Sequence, residues 1–262
     1  MVPAAGESQT ASSTAELTYA DLADLALSAP IAAHVRLKRA VALKPGEAGP
    51  LPPGRTRFYV QAEVLSLIRG AEGSPAMVSY LADLPGGANG KPPKPRKKSE
   101  YIIFGEAVAG RPGELRLAAP DAQLPYTAER GAQVRAILRE ASAAAPPQIT
   151  GIGKAFHVPG SLAGESETQI FLQTAGGDPV SLTVLRRPGE TPQWAVALGE
   201  IVDDAAAEPR PNSLLWYRLA CGLPRALPTH SYAEAEQGHA AAIEADYRLI
   251  LERLGPCLRS RG

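Results

Sequence analysis

A chain of 262 residues carrying 27 Lys plus Arg against 27 Asp plus Glu has a formal net charge of zero, so no global field steers it toward nucleic acid or a membrane surface. Its 45% hydrophobic content is ordinary for a globular protein, whereas 25 Gly and 25 Pro favour many short strands over long helices. The longest apolar stretch, residues 22–35, is broken by Asp24, Pro30 and His34 well short of the ~20 residues that span a bilayer.

Residues 1–16 are small and polar and offer nothing to bury, which predicts a disordered tail. The first ten residues have neither the basic nor the apolar region of a signal peptide. This leaves either a cytosolic protein or a mature exported chain with a new Met. Thr18 is placed to cap a short helix with Tyr19, Leu22, Leu25 and Ala26 on one side, which Pro30 ends. The period then changes: Ile31, Ala33, Val35, Leu37, Val41 and Leu43 alternate with His34, Arg36 and Lys38, the pattern of a half-buried strand.

In residues 55–69 Phe58, Val60, Ala62 and Val64 hold the even positions, after which Leu65 and Leu67 bring apolar character to the odd ones. A strand whose buried face changes midway is expected where it bends, as in small barrels. Further strands are predicted at 75–84, 101–105 and 114–118, with a turn-rich loop over 85–99. Thr127 is placed to cap a helix bearing Val134, Ile137, Leu138 and Ala141, and Pro146-Pro147 marks a boundary.

The second half restarts with strands at 149–158, 168–174, 179–186 and 193–201. In the last of these Trp194, Val196 and Leu198 put bulk on one face. Asn212 is expected to cap a helix over 214–220 that stops at Gly222 and Pro224. Ser231 to Glu234 reads as a capping box opening a final helix, with Ile243, Tyr247, Ile250, Leu251 and Leu254 as an apolar stripe packed on the second β-unit. The expectation is a mainly β, β-rich α+β chain of two small β-barrel or sandwich units: a tail (1–16), an OB-like β-barrel unit with flanking helices (17–147), and a second β-unit with a short helix and a C-terminal packing helix (148–262). Each half runs several strands and then a helix, but the two share no residue pattern that aligns.

Cys221 and Cys257 follow the last two helices, so a bridge would tie the terminal helix to the body and place the protein in an oxidising compartment. Two free thiols are the alternative. Gly151-Ile-Gly153-Lys154 fails the phosphate-loop spacing at Gln148 and Ala155. Ser161, with His157 upstream, has flanking glycines one before and three after it, not two on either side as a nucleophile elbow requires. His34, His157, His230 and His239 show no metal-ligand spacing, and no catalytic, cofactor or metal residues are assigned. The strongest local charge feature is the run Lys91, Lys94, Arg96, Lys97 and Lys98. It reads as a solvated loop or, joined to Arg36 and Lys38, as a groove for a polyanion.

The strand order over residues 31–145 resembles an OB-like barrel of the netrin or tissue-inhibitor type, without that family's cysteine framework, so no inhibitory function transfers. Residues 18–27, 149–158 and 212–224 resemble segments of an alphaproteobacterial family of unknown function, which implies no activity or site residues. The expected function is a non-enzymatic, exported, periplasmic binding or assembly module whose partner is another protein. A polyanion binder and a hydrolase built on His157 and Ser161 are the rivals.

Overall fold

The computed structural model describes residues 17–70, 75–86, 95–143, 145–199, 207–236 and 238–261. The tail expected at 1–16 and the cations Lys91 and Lys94 lie outside these residues.

The chain is β-rich, with two antiparallel sheets and five helices among the described residues. Helix α1 (Tyr19–Ser28) opens on the Thr18 capping box: the Thr18 hydroxyl accepts from the Asp21 N–H, and the Asp21 carboxylate accepts from the Thr18 N–H. Strand β1 (Ile31–Ala42), a four-residue helix α2 (Pro45–Ala48), β2 (Arg55–Arg69), β3 (Met77–Pro85), β4 (Glu100–Ala107), β5 (Leu115–Leu117) and β6 (Gln123–Pro125) follow. The first sheet runs β3-β2-β1-β4-β5, with β6 paired on β4. Its inner face collects Val35, Leu37, Phe58, Val60, Val78, Tyr80 and Ile103. On its other face Ile102 and Phe104 pack with Leu22 and Leu25 of α1 and with Val134 and Ile137 of α3 (Ala128–Ala143). Side chains of this size stabilise by roughly 1.5–3 kcal/mol each when fully buried.

The change of face expected in β2 occurs at a bulge. Val35 pairs with Val64 but Ala33 pairs with Leu67, so Leu65 is absorbed and Ile68 turns to the helical cluster. The ends of the sheet approach each other through one parallel bridge, Ser79 to Glu114, and bonds from the Ser79 N–H to Gly113 O and the Asp83 N–H to Pro120 O. The sheet is not a closed barrel. Gly105 permits the close β4–β5 approach, because a Cβ there would lie 2.4 Å from Arg116 O.

The second sheet is a meander of β7 (Ile149–Pro159), β8 (Ser166–Thr174), β9 (Val180–Arg186) and β10 (Gln193–Ala197), in the order β10-β9-β8-β7. Helices α4 (Leu214–Gly222) and α5 (His239–Leu254) cover one face, with Ile243, Tyr247, Ile250 and Leu254 packed on Ile152, Ile170 and Leu182. The expected stripe thus meets the second sheet, as the sequence indicates.

Three local expectations fail. Asn212 does not cap α4: its φ of 57° is left-handed, and Ser213, in extended backbone, accepts from the Trp216 N–H instead. The box Ser231 to Glu234 opens no helix, because Ser231 belongs to a 3-10 turn (Thr229–Ser231) and Glu234 pairs with Lys154. Helix α5 starts after Gly238, eight residues later than Ser231. Leu198 is exposed because β10 ends at Ala197.

Cys221 and Cys257 lie at disulfide distance, with Cα atoms 5.1 Å apart. Beyond Cys257 the chain runs back to the first half. There the Arg259 guanidinium meets Asp24, the Ser260 N–H and hydroxyl donate to Asp21, and Arg261 meets Asp121. Burial works against the Asp21 charge, yet the bonds from Ser260 and Thr18 outweigh it and hold this carboxyl below its usual range.

Candidate functional site

Strand β7 is the edge of the second sheet and pairs only with β8 among the described residues. A cleft of about 380 Å³ separates it from residues 230–239, and six consecutive β7 residues, Lys154 to Pro159, form one wall. Successive strand side chains point to opposite faces, so a cleft lined by every residue in turn follows the strand's edge. In an antiparallel pair alternate residues spend their backbone groups on the neighbour, while the others point outward. No backbone bond from residues 154–159 to a segment other than β8 occurs among the described residues, apart from the turn closing at Gly160, so the outward groups face the cleft.

The opposite wall is fixed by α5. Its stripe seats the helix on the sheet, which brings His239 to the cleft and carries Asp246, between Ile243 and Ile250, into the buried interface. His157 and Thr168 are register partners across β7 and β8, and the His157 Nδ1 lies 2.8 Å from the Thr168 hydroxyl. That hydroxyl donates to Asp246 Oδ2, and Arg186 of β9 donates to Asp246 Oδ1 at 2.7 Å. A hydroxyl has one proton. Because Thr168 gives it to the carboxylate, it must accept from His157, which assigns the proton of neutral His157 to Nδ1 and leaves the Nε2 lone pair free. The ring of His239 lies 5.1 Å from that of His157. Burial, then the positive charge His239 would carry, then Arg186, lower the His157 pKa against the opposing pull of Asp246.

The cleft has two further polar features. Ser231 is 3% exposed and its hydroxyl has no partner among the described residues. At the rim Lys154 pairs with Glu234 at 2.7 Å, whereas Glu236 has no cationic partner among the described residues. His230 also lines the cleft, with its Nε2 3.3 Å from Ile152 O. No group of three His, Cys, Asp or Glu side chains among the described residues is arranged to hold a metal. The arrangement supplies a neutral imidazole acceptor, an unpaired buried hydroxyl and a free strand edge.

The residues singled out from the sequence are distributed differently. Ser161 is exposed on the β7–β8 loop, where Glu165 accepts from its N–H; it does not line the cleft and forms no hydrogen bond with His157. In the expected basic groove, Arg36 and Lys38 are paired with acids. Arg36 pairs with Glu100 at 2.9 Å, Lys38 pairs with Glu63 at 2.7 Å, and His34 lies 2.8 Å from Glu100 while stacking on Tyr126. Hydrogen bonds from Lys38 to Glu63, and from Arg36 and His34 to Glu100, hold both carboxyls below their usual range. Arg96, Lys97 and Lys98 are exposed, and the Lys98 N–H bonds to Leu37 O, so the loop does approach β1, but beside these acids. Thr168 and Asp246 escaped sequence reading. The available signals were a carboxylate inside the α5 stripe and a threonine in phase with Ile170 and Leu172. No protein-family model matches the chain, and no curated protein is similar to it.

Proposed function

We propose that the protein is a binding module that takes up an extended segment of a partner protein as an added strand along β7. The observation that carries this reading is the unpaired edge of residues 154–159 facing a cleft with a second wall. Main-chain bonds to such an edge supply affinity, while pockets for alternate side chains supply selectivity. Phe156 and Val158, 49% and 63% exposed, flank the edge on the outer side and offer apolar contact to the incoming strand. At ~3.3 Å per residue, the lined edge accommodates about five or six residues of a partner. The Cys221–Cys257 pair at disulfide distance supports an oxidising compartment, which suits an exported module.

The test is a display selection of random octapeptides against the full chain, followed by resynthesis of the best binder with N-methyl groups on its odd or its even residues. One methylated set should lose binding by about tenfold or more while the other retains it, since only alternate amides bond to an edge. Equal binding by both sets, or selected peptides that protect residues outside 154–159 and 230–239, would contradict strand addition.

A further inference from the structure

Resting on strand capture at β7, we infer that the captured segment presents a basic group, a lysine or arginine side chain or a free amine, to His157 and Glu236, and that acidification releases it. The tautomer fixed by Thr168 and Asp246 leaves His157 Nε2 as a lone-pair acceptor. Glu236 adds a carboxylate with no cation beside it among the described residues, whereas the other carboxylate of the cleft, Glu234, is taken by Lys154. Neutral imidazole plus free carboxylate is a site for a donor of positive charge, not for an anion. Ser231, also in the cleft wall, is buried and its hydroxyl has no hydrogen-bond partner among the described residues.

Protons and a basic ligand compete for the same place. The charged groups facing His157 are His239 and Asp246 of α5 and Arg186 of β9, with Lys154 and Glu234 paired at the rim and His230 turned to Ile152 O. With no ligand, His157 already titrates below its ordinary value through burial and His239. Ligand binding lowers it further, so binding expels protons and affinity falls as pH drops through the histidine range.

Three acetylated octapeptides of alternating valine and threonine, differing only in a central lysine, norleucine or glutamate, serve as probes in NMR titrations of the full chain. At about pH 7.5 the lysine peptide should bind about tenfold more tightly than the glutamate peptide, and at about pH 5 that advantage should shrink. In a His157→Gln/His239→Gln variant with an unchanged far-UV spectrum, the lysine peptide should bind equally at both pH values. Equal, pH-independent binding of all three peptides at residues 154–159 leaves strand capture standing and overturns the basic preference. Tighter binding of the glutamate peptide does the same. No shift at residues 154–159 with any peptide at millimolar concentration overturns both.

Discussion

At the scale of single residues, the telling group is Asp246. A carboxylate with no solvent exposure sits in an otherwise apolar helix face, and its two oxygens are taken by Thr168 and Arg186. Removing one partner of a buried ion pair leaves the other uncompensated, so Asp246→Ala is expected to cost about 2–4 kcal/mol, reduced from the fully buried case because Arg186 is partly exposed. Urea unfolding of the full chain measures this, and a loss under about 0.5 kcal/mol would mean that the pair has no structural weight. The same substitution unties the His157 tautomer, which a long-range imidazole NMR spectrum reports. The sequence displays His157 and His239 only as scattered histidines. Their adjacency depends on a bulge in β7 and on where α5 starts, and the spacing between the two residues encodes neither.

At the scale of elements, strands with clean alternation are legible in the sequence and short elements are not. Strands β1 and β2 follow from Val35, Leu37, Phe58 and Val60, whose period of two matches one buried face. Strand β6 is three residues long and is held by pairing with β4, a tertiary cause that leaves no local periodicity. Helix α5 keeps its stripe but loses its expected start, because Ser231 lies in a 3-10 turn and Gly238, in left-handed backbone, sets the start at His239. The segment from Cys257 to Arg261 behaves as a strap, fixed at one end by Cys221 and at the other by Asp21, Asp24 and Asp121. Serine at both cysteines is expected to lower stability by up to about 4 kcal/mol for a loop of this length. Amide exchange in the Cys221→Ser/Cys257→Ser variant should accelerate at residues 258–261 before it does in the sheets. Unchanged exchange there would show that the aspartates hold the strap unaided.

At the scale of the whole molecule, the two sheets are joined by contacts that do not involve the β7 edge. The Tyr217 hydroxyl donates to Asp24, Glu140 accepts from the Leu214 N–H at 2.7 Å, and the ring of Tyr19 meets Trp216 edge-on. The first sheet, with its helices and the returning strap, thus braces the second through α4, which packs near the start of β7 and leaves the edge at residues 154–159 unpaired among the described residues. An edge already ordered by its pairing with β8 suits capture of a flexible partner, since the ordering entropy then falls mainly on the partner. The most direct test is residue-resolved amide exchange across β7, with and without a selected octapeptide. In the free protein, alternate amides of residues 154–159 should exchange quickly and their neighbours, bonded to β8, slowly. With peptide bound, the fast set should become protected while residues 168–172 remain as they were. Uniform protection of residues 154–159 in the free protein, or peptide binding that leaves the fast set exposed, would contradict strand capture.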